Sequence, residues 1–105
     1  MPTHLVALAL SATLIAAAAD TMPHFDARPG CQVGAQTGVD VRPNVAACVQ
    51  EEQQARNDLI KEWRQFSNSD KRSCVAQAES GGPPSYIELL TCLQIARDVV
   101  GMKID

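Results

Sequence analysis

The strongest helix signal in the chain is residues 84–96, which read PSYIELLTCLQIA. Ser85 and Glu88 have the Ser-x-x-Glu spacing of a capping box, in which each side chain satisfies a free backbone N–H of the other residue. Apolar side chains then recur at helical spacing and form one stripe, which consists of Tyr86, Leu89, Leu90, Leu93, Ala96 and Val100. The pattern predicts a helix over residues 85–100 that buries one face, ends at Gly101 and leaves a frayed C-terminal tail.

A longer helix is predicted over residues 43–66. Pro43 is favoured in a first helical turn, and Asn44 has the side chain of an N-cap. One face of this segment is apolar except for Glu52. Trp63 lies on the same face, so we expect it to anchor the core rather than to form a platform for a ligand.

A short helix is predicted between these two. Ser67 and Asp70 imitate a capping box at its start, and the acidic side chain suits the positive end of the helix dipole. The helix covers residues 68–79, because the glycines at 81–82 favour a helix C-terminus and the prolines at 83–84 cannot continue a helix. The three helices predict an all-α domain over residues 43–105.

The beginning of the chain predicts export. Residues 5–19 are almost wholly apolar, carry no charge and are too short to span a membrane. Alanines at 17–19 match the small-x-small pattern of a signal-peptidase site, so residues 1–19 are interpreted as a signal peptide cleaved before Asp20. The alternative is a buried alanine-rich helix, but such a helix would normally carry polar residues on one face.

Residues 20–42 have prolines, glycines and no periodic apolar pattern, which predicts an irregular leader. Residues 31–36 around Cys31 favour a short helical turn within it. His24 and Asp26 are two metal-ligand types, but two ligands so close in sequence make a poor site. We therefore expect them to be exposed loop residues and predict no metal.

The cysteines lie after the predicted signal peptide, at Cys31, Cys48, Cys74 and Cys92. An even number in a short exported chain predicts two structural disulfides, because exported compartments are oxidising. No spacing is a C-x-x-C redox motif or a tight zinc knuckle. Staples of this kind suit a small domain that has few aromatic residues with which to build a core.

Four cysteines allow three pairings, and sequence alone does not choose among them. If the helices pack up, down and up, Cys74 lies ~10 Å and Cys92 ~8 Å from the turn at Ser67, so their heights nearly coincide. Cys48 lies ~27 Å from that turn, and bridged cysteines need Cα atoms within about 7 Å. This packing favours Cys74–Cys92 and leaves Cys31–Cys48 to fasten the leader to the first helix.

Part of the chain resembles a known group of proteins. The segments that carry the resemblance are CVQEEQQARNDL (48–59), WRQF (63–66), DKRSCV (70–75) and PSYIELLTCL (84–93). They are similar to an uncharacterised family of small exported, cysteine-containing helical proteins common in alphaproteobacteria. The resemblance covers about residues 48–100. It implies export and a cysteine-stapled helical fold, and it implies no substrate.

The charges argue against nucleic acid as a partner. The chain has 9 lysines and arginines against 12 acidic residues, a formal charge of −3, and no basic stripe. Carboxylates offer a general acid or base at Glu51, Glu52 or Glu88, which is the enzymatic hypothesis. Glu88 already has a capping role, however. Glu51 and Glu52, together with Arg56 and Asp58, are expected to form a solvated helix face with a Glu52–Arg56 pair.

The favoured hypothesis is therefore a non-enzymatic binding or structural module of the cell envelope, periplasmic or secreted. We predict no catalytic residue, no cofactor and no membrane span once the signal peptide is removed. The expected partner is a protein or another envelope component of unknown identity. The alternative hypothesis is a thiol-redox or metal-handling periplasmic protein that uses the cysteines.

Overall fold

The computed structural model describes residues 21–37 and 44–104, and the side chains up to residue 99. The predicted signal peptide and Pro43 lie outside the described residues. Within these ranges the protein is all-α, as predicted, and contains no strand. The helices are α1 (Arg28–Thr37), α2 (Val45–Glu62), a 3₁₀ turn (Trp63–Gln65), α3 (Asn68–Ser80) and α4 (Tyr86–Ile104).

The prediction of an irregular leader with three main helices is wrong in one respect, because the leader contains α1. At its start the Asp26 carboxylate accepts a hydrogen bond from the backbone N–H of Arg28 at 3.2 Å. Cys31, the buried residue of α1, is bonded to Cys48 of α2. The glycines of this segment disfavour a helix locally. The disulfide to α2 therefore stabilises a helix that the sequence of α1 alone would form only weakly.

The predicted caps of α2 and α3 are confirmed. The side-chain oxygen of Asn44 accepts from the N–H of Ala47 at 2.8 Å, and the hydroxyl of Ser67 accepts from the N–H of Asp70 at 3.1 Å. Each bond satisfies one of the backbone donors that the first turn of a helix leaves free. The α-helical part of α2 ends at Glu62, and the chain tightens into the 3₁₀ turn before Phe66.

In the turn before α4, Gly82 has φ +113°, a left-handed conformation that glycine adopts without steric cost.

The last helix differs from its prediction at the C-terminal end. Gly101 was expected to end the helix, but α4 continues to Ile104. Glycine inside a helix costs about 1 kcal/mol relative to alanine, yet it can adopt helical dihedrals. The predicted frayed tail is thus helical through Ile104.

The core lies where α4 packs against both α2 and α3. Leu59, Leu89 and Leu93 are fully buried at its centre. The other buried members of the cluster come from residues 22–27 and from the chain after α1, and they are Phe25, Ala55, Trp63, Phe66, Cys74, Ala78 and Tyr86. Trp63 is buried, as the apolar pattern predicts.

Contacts at two levels fix the direction of α4. Glu52, in the middle of α2, bonds the first residue of α4, whereas Glu62 at the end of α2 pairs with Arg97 near the end of α4 at 3.1 Å. The two helices therefore run parallel, as the predicted up-down-up path requires. The guanidinium of Arg97 also lies 5.1 Å from the centroid of the Phe66 ring.

Both disulfides follow sequence order. Cys31 is bonded to Cys48 and Cys74 to Cys92, and the Cα atoms are 5.7 Å apart in each pair. All four cysteines are therefore disulfide-bonded. Disulfides form and persist in oxidising compartments, so the fold suits such an environment. In the part of the chain that the structure describes, no helix has the length and apolar character needed to cross a membrane.

Candidate functional site

The N-terminal segment, residues 22–27, lies against the core and separates two clefts. Phe25 is buried, and its backbone N–H donates to the hydroxyl of Tyr86 at 2.7 Å. The two rings also contact each other, with centroids 5.1 Å apart. His24 lines the cleft on either side. Residues 22–27 are irregular, as predicted, and they form a wall between the two clefts.

The first cleft, which we call the polar cleft, lies between the N-terminal segment and α2. Its volume is about 590 Å³. Asp26, Arg28, Gln53 and Arg56 are among its lining residues, with Glu52 at the side of α2. Both positive and negative side chains line it, and apart from Glu52 these polar groups are exposed. Water already solvates such groups, so their charges attract a ligand weakly.

Glu52 corrects the prediction of a solvated helix face. Its side chain is buried, and its two oxygens accept hydrogen bonds of 2.7 Å from the hydroxyl of Ser85 and the backbone N–H of Tyr86. The sequence predicts Arg56 as its partner, whereas the structure places its partners on α4. A carboxylate at a helix N-terminus satisfies free donors and interacts favourably with the helix dipole.

Ser85 links this buried carboxylate to the predicted capping box. Its hydroxyl donates to Glu52 and accepts from the backbone N–H of Glu88 at 3.2 Å, so the serine half of the box is confirmed. The carboxyl of Glu52 is therefore held by two donors at the start of α4. It links α2 to α4 and also lines the polar cleft.

The second cleft, which we call the lysine cleft, lies between the N-terminal segment and α3. Its volume is about 790 Å³. Lys71 is only 7% exposed, and its Nζ lies 5.0 Å from the centroid of the Trp63 ring. Met22 and Val75 add apolar walls. A lysine ammonium over an indole face forms a cation–π contact, which stabilises the positive charge without neutralising it.

A third concave surface, the disulfide groove, lies between α3 and α4. Its volume is about 550 Å³, and Cys74, Cys92, Thr91 and Ile95 are among its lining residues. Cys74 is buried and Cys92 is partly exposed. Ile95 is 58% exposed. The groove therefore gives solvent access to one edge of the second disulfide.

The remaining candidates from the sequence do not come together. Glu51, Glu88 and His24 are exposed and lie in different parts of the fold. Asp26 begins α1 by accepting from its first N–H. Over residues 21–37 and 44–104 there is no group of three or more histidine, cysteine or acidic side chains placed to hold a metal ion.

Comparison with known proteins gives no further guide. No protein-family model, curated protein or solved structure matches this chain. The resemblance to small exported helical proteins therefore stays a prediction, and a function has to be argued from the geometry.

Sequence reasoning missed Lys71, although a signal was present. The buried positions of α3 are spaced as one helical face, and they are Lys71, Cys74 and Ala78, with Val75 partly buried beside them. Lysine occupies the position where this face requires an apolar residue. Glu52 breaks the apolar face of α2 in the same way. A charge on an apolar helix face thus marked both residues whose surroundings are unusual.

Proposed function

We propose that this protein is an exported, non-enzymatic binding module of the cell envelope, acting in the periplasm or after secretion, and that it binds at the lysine cleft. The observation that carries the proposal is the buried Lys71 on the wall of a cleft large enough for a ligand. Ligand pockets typically enclose about 300–1,000 Å³ and combine apolar walls with a few placed polar groups.

The rest of the fold supports a rigid binding role. Two disulfides hold the helices, and the Phe25–Tyr86 contact holds the wall of the cleft. A site that is formed before its ligand arrives loses less conformational freedom on binding. Export is supported by the disulfides, by the apolar run at residues 5–19 and by the resemblance described above.

Localisation is the first test. The full chain is expressed with a C-terminal tag, the cells are fractionated, and the intact mass is measured without reduction. We expect a periplasmic or secreted product that begins at Asp20 and carries two disulfides. A soluble cytosolic product that retains residues 1–19 would contradict export.

Binding is the second test. The native protein is immobilised and incubated with envelope extract, and the retained components are identified by mass spectrometry. The same chain, reduced and alkylated, is the control because it lacks the two staples. We expect at least one component that depends on the folded, oxidised bait. Equal recovery on both baits would contradict a specific binding module.

The thiol-redox or metal-handling alternative is favoured by one observation, the partial exposure of Cys92 in the disulfide groove. Thiol titration of the exported protein separates the two proposals. A structural role predicts no free thiol before denaturation and reduction. Two thiols in the protein as isolated would support the alternative and count against the binding module.

A further inference from the structure

We propose that the lysine cleft binds a small amphipathic organic anion, with the acidic group at Lys71 and an apolar body along Trp63. This inference rests on the proposed function and deepens it, because it names the chemical class of the ligand. It follows from the charge, the walls and the volume of the cleft.

The charge comes from Lys71. Among residues 21–37 and 44–104, no carboxylate forms an ion pair with Lys71, and its Nζ lies 5.0 Å from the centroid of the Trp63 ring. No buried side-chain nitrogen or oxygen of these residues lacks a hydrogen-bond partner, so the ammonium of Lys71 is not sealed from water and is open to an anion in the cleft. Arg72 also lines the cleft, and Glu79 is the acidic residue among the described lining residues. The described lining of the cleft therefore carries more positive than negative charge.

The walls determine the other end of the ligand. Met22, Trp63, Val75 and Ala76 present apolar surface next to the ammonium. The cleft, at about 790 Å³, has room for a small molecule of drug-like size. An inorganic anion would satisfy Lys71 and leave these walls wet, whereas an anion with an apolar body would cover them.

The polar cleft does not offer the same combination. Its one buried charge, Glu52, already has two hydrogen-bond partners on α4. Arg28 and Arg56 are exposed on its rim. An anion there would replace water at guanidinium groups that are already solvated, so it would gain little binding free energy.

The test uses Trp63, the single tryptophan of the chain, as a reporter inside the cleft. The oxidised protein is titrated with octanoate, the uncharged 1-octanol and the cationic octylamine, while the tryptophan emission is recorded. We expect a saturable change with octanoate, a weaker one with octanol and none with octylamine. Equal responses to octanoate and octylamine would overturn the proposed charge preference.

The variant Lys71→Met removes the ammonium and keeps an unbranched apolar side chain. Charge-assisted hydrogen bonds predict that octanoate binding weakens roughly 10- to 100-fold. Octanol binding should stay within about twofold. The matched control is Lys61→Met, the same substitution at an exposed position of α2, which should leave both titrations unchanged. Unchanged octanoate affinity in Lys71→Met would overturn the proposal.

A second variant keeps the test valid if Lys71→Met folds poorly, which circular dichroism would show. Arg72→Met changes an exposed residue of the same cleft and should weaken octanoate binding about 2- to 5-fold, as expected for a partly solvated charge pair. An octanoate affinity unchanged in Arg72→Met, or no octanoate response in the wild type, would overturn the site. Capture of an envelope component by the native bait in that case would leave the proposed function intact, so the two failures are distinguishable.

Discussion

The two disulfides close loops of nearly equal length but join very different pairs of helices. The bonded cysteines are separated by 17 residues in the first bridge and by 18 in the second. Cys74–Cys92 links α3 to α4, and both helices also contribute residues to the shared core. Cys31–Cys48 links α1 to α2, and Cys31 is the buried residue of α1. Cys74–Cys92 therefore reinforces helices that already share a core, whereas Cys31–Cys48 is the main attachment of α1.

The equal loops make this difference informative. In the chain-entropy account, a disulfide stabilises the fold by restricting the unfolded chain, by an amount that depends on loop length. The two bridges therefore restrict the unfolded chain almost equally. Any difference in what their removal costs has to come from the folded state, where α3 has core contacts to retain it and α1 has few.

The largest effect is expected from the core itself, in Trp63→Ala. A buried aromatic side chain truncated to alanine typically costs about 3–5 kcal/mol. That is a large share of the stability of a domain of this size. Thermal and urea unfolding followed by circular dichroism measure the loss. Ile60→Ala, on an exposed residue of α2, is the control and should change stability by less than about 0.5 kcal/mol. Equal melting temperatures for Trp63→Ala and the wild type would contradict a core role.

The second prediction tests the two bridges directly. Replacing Cys74 and Cys92 together by alanine should cost about 2–4 kcal/mol of unfolding free energy. Replacing Cys31 and Cys48 should lower the unfolding free energy by less. Without that bond α1 can detach from α2, and the folded state then gains conformational entropy that offsets part of the loss. Hydrogen exchange should show rapid amide exchange over residues 28–37 in the second variant, while α2 and α4 stay protected.

Each double variant serves as the control for the other, since their loops are matched. Equal losses of stability, with α1 still protected in the variant that lacks Cys31–Cys48, would show that α1 has a packed face of its own. The proposed difference between the two disulfides would then be wrong.

Much of the chain after Asn44 could be predicted from the sequence, because its signals are local. Asn44 and Ser67 cap the helices that they were expected to cap. The heights of Cys74 and Cys92 along two packed helices favoured their pairing before any contact was known. Such features depend on residues a few positions apart, or on helix rise alone.

The parts that could not be predicted depend on distant partners. Pro29 and the glycines of α1 give it weak helix propensity, and its helix is sustained by a bond to α2. Glu52 bonds a residue 34 positions later in the chain. Lys71 breaks an apolar face, but the Trp63 ring and the N-terminal segment that enclose it come from other elements. The apolar pattern marked Glu52 and Lys71 as charged residues on buried faces, but it could not show which residues contact them.

The third prediction concerns the link between α2 and α4. Glu52→Ala leaves the hydroxyl of Ser85 and the N–H of Tyr86 without their acceptor, which should cost about 1.5–3 kcal/mol. Glu52→Gln keeps one acceptor oxygen and should cost about half as much. Urea unfolding of both variants measures the loss, and Gln54→Ala, at an exposed position of α2, is the control. A neutral effect of Glu52→Ala would mean that water satisfies the start of α4.

The smallest effect is expected where the N-terminal segment meets the core, in Tyr86→Phe. The hydroxyl of Tyr86 accepts from the backbone N–H of Phe25 at 2.7 Å, and the phenylalanine ring would preserve the ring contact. Loss of one hydrogen bond of this kind costs about 1 kcal/mol. The loss should be local, with faster amide exchange at Phe25 and its neighbours and little change in α3.

If this bond and Cys31–Cys48 hold the N-terminal region independently, the losses of unfolding free energy add when the variants are combined. A combined loss larger than the sum would mean that each attachment holds the segment when the other is removed, and the N-terminal region would then be one cooperative unit rather than two separate attachments.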